Sequence, residues 1–251
     1  MNDSPSPTSP SWPTRWPKDS FQGFWSWALA VVVALPFIGA FVLGLTKAGA
    51  VSYANVTPLQ IYLSIGGTAV FEGVLIAIVL LALPRLSKFS LRELGFRRPT
   101  WSTLGGSLLG ALGMVVVANG LASLIETLAH VKHQQDVVEI FRNLHDPMAV
   151  AFFAFFAVFF APLAEETLFR VFFFNFGMRY GGFWAGAILS GILFGMAHGD
   201  LYAALPLALG GMILCYVYYR TQNAWASMIS HCLFNALSIA ALLFAPAWLS
   251  S

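Results

Sequence analysis

Charge is what this sequence has least of. Only 10% of its 251 residues are Asp, Glu, Lys or Arg, against about a quarter in a soluble domain, which excludes a chain built to fold in water. The formal net charge of +2 leaves no basic surface for nucleic acid. Cysteine is nearly absent as well. Cys215 and Cys232 lie in apolar stretches and no loop carries one, so there is no disulfide framework and no sign of an oxidising compartment. The two read as buried apolar thiols. No G-x-S-x-G or H-E-x-x-H occurs and no cysteine is paired with a base, which removes the serine-hydrolase elbow and the conventional zincin.

What remains is hydrocarbon: 58% hydrophobic residues and a mean hydropathy of +0.75. Residues 1–20, "MNDSPSPTSPSWPTRWPKDS", are rich in Pro and Ser and read as a disordered cytoplasmic tail. Residues 21–251 read as one transmembrane domain with its functional core at 147–245. The first apolar run starts at Phe21, too late and too long for a signal peptide, and Pro36 kinks it. Further spans run from Leu59 to Leu83 (closed by Pro84), Leu104 to Leu128, Pro147 to Met178, Phe183 onward, Leu201 to Tyr219 and Ala224 to Leu243. Gly105, Gly106, Gly110 and Gly113 would let the third approach a neighbour closely. The fold class is therefore all-α, a polytopic bundle of about seven to eight helices with its site inside.

The loop "RLSKFSLRELGFRRP" holds Arg85, Lys88, Arg92, Arg97 and Arg98 against Glu93 alone, so it should face the cytoplasm. Seven spans threaded from it put nine Lys/Arg on that side and three opposite. This gives a multi-pass protein of the cell (inner) membrane with its N-terminus in the cytoplasm. Splitting the fourth segment in two would make eight spans and moves Arg179 and Arg220 outside, against the charge rule.

One stretch resists this apolar reading. "FFAPLAEETLFR", Phe159 to Arg170, sets Glu165 and Glu166 near the middle of the fourth span, just after Pro162. A charge there costs about 2.5–3.5 kcal/mol on insertion scales. Glu166 and Arg170 are one turn apart in the favourable order for a pair. Glu165 points about 100° away and is free for other work. His198 ends the fifth span one turn after Phe194, and His231 and Asn235 share one face of the seventh. Residue counts place these groups at comparable depth. A carboxylate and an imidazole can hold a water and take its proton, while an amide and a second imidazole can donate to an oxyanion. A zinc ion on Glu165, His198 and His231, with a position left for water, is the alternative use of the same groups.

Glu72 and Glu126 lie in or near apolar spans without a motif, and Glu72 is placed to line a cavity. His130, His133 and His145, with Asp136, Glu139 and Asp146, read as a solvated outer loop. Phe152, Phe153, Phe155, Phe156, Phe159 and Phe160 read as packing and lipid contacts.

The set Glu165-Glu166-x-x-x-Arg170, Phe194-x-x-x-His198 and His231-x-x-x-Asn235 resembles the three motifs of the CPBP intramembrane protease family, which comprises CAAX proteases and bacteriocin-processing enzymes. The resemblance covers Ala149 to Ala240; Val171 departs from it, standing where many bacterial members have Gly. It implies that Glu165 is the water-activating base assisted by His198, and that His231 and Asn235 form the oxyanion site. It also implies that Glu166 and Arg170 brace the helix, with Glu166 a further catalytic candidate, and that Phe194 is a structural support. Members are described both as metalloproteases and as metal-free glutamate enzymes, so a single divalent zinc is one expectation and no cofactor the other. The implied partner is a membrane-bound peptide or protein in the bilayer, with the oligomeric state open. The competing class is a non-enzymatic membrane protein (a transporter, bacteriocin immunity or scaffold factor) that uses the polar cluster for binding. A transporter would show inverted repeats, and the first three spans carry none of the motif residues.

Overall fold

The computed structural model describes residues 17–47, 56–130 and 136–244. Within them every regular element is helical: α1 (Phe24–Lys47), α2 (Pro58–Ser87), α3 (Trp101–Ala129), α4 (Asp136–Asn143), α5 (Pro147–Phe155), α6 (Ala161–Glu166), α7 (Asn175–Ala197), α8 (Leu201–Thr221) and α9 (Ala224–Phe244). Two π-helical stretches, Phe156–Phe160 and Thr167–Phe174, join α5 to α6 and α6 to α7. Residues with no water to bond to must satisfy their backbone internally, which leaves helices as the solution for spans this apolar.

Six helical stretches are long and apolar enough to cross a membrane, and the fourth, Pro147–Ala197, runs for 51 residues. It is two arms rather than one rod. At Gly181 φ/ψ is −146°/22°, and at Gly182 it is 70°/−163°, a region open in practice to glycine alone. The fourth and fifth spans read from the sequence are these arms, and they meet closely: a Cβ on Gly177 would lie 2.8 Å from Gly186 Cα.

The spans are not equally enclosed. Half of the apolar window of α8 is buried, against 17–22% for the others, so α8 is the axis of the bundle. The second arm of α7 lies against it through glycines, since a Cβ on Gly191 would sit 2.6 Å from the Ala208 carbonyl oxygen. On the other side α3 and α9 close up through a serine exchange. Ser230 Oγ donates to Ser107 O (3.0 Å), and Ser107 Oγ donates to Ala226 O (3.1 Å). Gly110 makes room for it, as expected of the small residues on α3. Large apolar side chains on α1, α2 and α3, including Val32, Leu63, Val70, Leu81 and Leu109, remain exposed, the surface such a bundle offers to lipid.

Three boundaries differ from the sequence reading. Pro84 does not close α2, which continues to Ser87 and ends on Lys88 in the left-handed region; near a helix end, a missing donor and one freed carbonyl are tolerated. Residues 17–20 do not belong to a loose tail. Ser20 is fully buried and donates to Ser87 O at 2.6 Å, and Arg179 holds the carbonyls of Lys18 (2.7 Å) and Ser20 (3.2 Å). The rest of that tail, residues 1–16, and His133 lie outside the described residues. The outer loop contains α4, whose apolar residue Phe141 is buried and packs at a tilt against Phe153, with ring centroids 5.7 Å apart.

The basic loop between α2 and α3 is also a built structure. Buried Tyr218 donates to Leu94 O at 2.6 Å, Ala224 N donates to Gly95 O at 2.9 Å, and Asn223 Nδ2 reaches the carbonyls of Arg97 and Arg98, each at 3.3 Å. Gly95, at φ 103°, turns the chain into this clamp. Within the loop the Ser90 hydroxyl and N–H donate to Glu93, holding that carboxyl below the ordinary carboxylate range.

Candidate active site

Pro162 shapes the helix that carries the two glutamates. In a π turn each carbonyl pairs with the N–H five residues on. For Ala157 that residue is Pro162, which has none. Asn235 supplies the missing donor: its Nδ2 lies 2.7 Å from Ala157 O. The proline thus frees a carbonyl inside the bundle, and α9 docks on it. The kink expected at Pro162 is accommodated by widened turns before and after α6.

Glu166 and Arg170 form the expected pair, with Oε1 and Nη1 3.0 Å apart and both side chains fully buried. The guanidinium continues into a niche made by two other helices. Nη2 donates to Gly211 O (3.2 Å), and Cζ stands 4.3 Å from the centroid of Phe194. A Cβ on Gly211 would meet Arg170 Nη2 at 3.1 Å and Phe194 Cδ1 at 3.0 Å, so the niche needs glycine. Gly211 was not legible as a site residue; the signal was the pair Gly210-Gly211 in the middle of a span.

His231 is the imidazole set against the glutamates. Its Nδ1 lies 3.0 Å from Glu166 Oε1 and its Nε2 3.7 Å from Glu165 Oε2. A carboxylate only accepts, so Nδ1 carries the proton and Nε2 presents its lone pair toward Glu165. At 3.7 Å the two acceptors do not bond directly, and the gap suits a shared water. The glutamates are unequal: Glu165 keeps 19% of its side chain exposed, while Glu166 is sealed. Glu166 therefore braces Arg170 and orients His231, and Glu165 faces the wetter space.

His198 caps α7, and its Nδ1 donates to Phe194 O (2.9 Å), leaving Nε2 free. The one-turn spacing of Phe194 and His198 read from the sequence is thus a direct contact. Phe194 is the hub, its ring 5.0 Å from that of His198 and 5.5 Å from that of His231, both edge-on. Glu72 enters the site from α2. The buried residues Ile65, Leu75 and Val79 mark the inward stripe, and Glu72 stands seven residues from both Ile65 and Val79, so it shares that face. It lies close enough to Glu165 for their charges to interact. Its buried Oε2 has no protein partner among the described residues, and neither has Oε2 of Glu166. Acceptors left open in this way suit water or a substrate donor.

The zinc alternative gains no support from this arrangement: among the described residues no group of three His, Cys, Asp or Glu is placed to hold a metal ion.

All seven motif residues fall in one stretch that has known relatives. Residues 147–237 match the family described as Type II CAAX prenyl endopeptidase Rce1-like. The resemblance read from the three motifs is borne out over the region that carries them, little more than a third of the chain. A Bacillus subtilis (strain 168) protein named "Putative membrane peptidase YdiL" is 27% identical over 78 residues, 31% of this chain and 32% of that relative. The chain thus aligns with about a third of the curated relative's length. No solved structure matches.

Proposed function

We propose that this protein is an intramembrane endopeptidase that hydrolyses a peptide bond in a membrane-bound peptide or protein, with Glu165 as the base. The observation that carries the reading is the cluster of buried Glu166, Arg170 and His231 with half-buried Glu165 inside the Rce1-like region. Four ionisable groups at that depth are costly unless they serve a reaction or a ligand.

A water between Glu165 and His231 Nε2 gives its proton to Glu165 as its oxygen adds to the substrate carbonyl carbon. The carbonyl oxygen becomes an oxyanion, toward which Asn235 retains a second amide N–H. His198, with Nε2 free, is a second acceptor for the water. The proton on Glu165 then passes to the leaving nitrogen, the C–N bond breaks, and a carboxylic acid and an amine result. No step requires a metal. The N-terminus is placed in the cytoplasm because of the loop from Arg85 to Arg98.

The test uses purified protein in vesicles and internally quenched peptides, with and without a C-terminal prenyl group. E165Q keeps size and polarity but removes the base, so turnover falls at least about 10²-fold while the protein stays folded. Strong chelation leaves wild-type turnover in place. Cleavage by E165Q at the wild-type rate would remove Glu165 from its role. A wild-type protein inert toward every peptide tested would favour the binding alternative.

A further inference from the structure

The five cations at the end of α2 and in the loop that follows it are not equivalent. Arg85 Nη1 donates to Leu81 O (2.7 Å), and Lys88 is paired with Asp19 (3.7 Å). The other three, Arg92, Arg97 and Arg98, line a cleft of about 600 Å³ together with Phe96. Arg97 Nε donates to Arg92 O at 2.9 Å, which sets Arg97 against the loop. Among the described residues none of the three makes a salt bridge. Glu93, the loop's own carboxylate, is already held by both Ser90 donors.

Loops that merely satisfy the charge rule have no need of a fixed backbone. This one is clamped at Leu94, Gly95, Arg97 and Arg98 by Tyr218, Ala224 and Asn223. Three guanidiniums therefore converge from a rigid frame, with unspent donors in the fork geometry that suits phosphate oxygens. The cleft sits immediately beyond the ends of two candidate spans, Pro58–Ser87 and Trp101–Ala129, which is headgroup depth. Trp101, 88% exposed in the first turn of α3, has the place of an interfacial tryptophan. Phe96 adds an apolar wall that a free inorganic phosphate would not use.

We propose that Arg92, Arg97, Arg98 and Phe96 form a binding site for the phosphate of an anionic phospholipid headgroup, separate from the peptidase site. A lipid bound there ties the α2–α3 loop, and through Tyr218 and Asn223 the α8–α9 turn, to the membrane surface.

The test uses the full-length protein, delipidated in neutral detergent, with three probes: dihexanoylphosphatidylglycerol, dihexanoylphosphatidylcholine and inorganic phosphate. Saturable binding of the phosphatidylglycerol is expected, weakening as salt is raised. Each Arg→Gln substitution should weaken it about fivefold, and R92Q/R97Q/R98Q on the order of a hundredfold. By itself R98Q removes a guanidinium that has no hydrogen bond among the described residues, so it tests the site without disturbing the loop. Melting without lipid should match wild type in R98Q. Undiminished phosphatidylglycerol binding in the triple variant, or equal binding of the phosphatidylcholine, would overturn the site. Inorganic phosphate binding as tightly as the phosphatidylglycerol would overturn its assignment to a lipid.

Discussion

Replacing Glu166 by Gln removes one negative charge from a place that holds a positive one with no other anion in contact. Arg170 is fully buried, and its other contacts include the Gly211 carbonyl at 3.2 Å and the Phe194 face at 4.3 Å. Breaking one side of a buried ion pair costs about 3–5 kcal/mol, a large part of a total stability on the order of 5–15 kcal/mol. For a chain of this size each kcal/mol moves the melting temperature by about 2–4 °C, so E166Q should melt about 6–20 °C below wild type. E165Q is the control. Glu165 is partly exposed and its nearest ionisable neighbour, His231 Nε2, is 3.7 Å away, so its loss should cost less than about 1 kcal/mol. The double variant E166L/R170M removes both charges and should recover most of the stability. It should not recover turnover, because His231 Nδ1 has lost the acceptor that aims Nε2 at Glu165. Melting by tryptophan fluorescence, with cleavage measured on the same samples, reads both effects. E166Q melting with wild type, or a double variant no more stable than E166Q, would refute the reasoning.

Three further outcomes follow from other contacts. N235A leaves the Ala157 carbonyl unpaired and should lower stability by about 1–3 kcal/mol; P162A restores an N–H for that carbonyl, so the P162A/N235A pair should melt above N235A in a double-mutant cycle, and strict additivity would disprove the link. E72L removes a half-buried carboxyl at membrane depth and should leave the melting temperature unchanged or raised while turnover falls; full activity in E72L would remove Glu72 from the site. A reporter fused after Pro99 should read cytoplasmic and one fused between His130 and Asp146 external, and the reverse result would invert the orientation.

Much of this protein was legible from the chain alone, for reasons that are local or compositional. Apolar runs of span length can only become helices in hydrocarbon, so the span positions were readable, and Gly181-Gly182 marked the break between the fourth and fifth. Glu166 and Arg170 are one turn apart in a single helix, and a contact at that spacing is set by helix geometry before any packing occurs. The three motifs pointed to the protease family because they stand in order within apolar stretches. Contacts between helices were not readable, because period and spacing say which face a residue occupies and nothing about which helix meets it. Only the assembled bundle decided that His231 lies against both glutamates, and that Glu72 on α2 stands near enough to Glu165 for their charges to interact. The same holds for the Asn235 amide, which meets the carbonyl that Pro162 leaves free, and for Gly211, which makes room for the Arg170 guanidinium. Each of these joins residues more than forty positions apart. Their meeting depends on how α8 is enclosed by its neighbours, a property of close-packed volume that no single stretch of sequence carries.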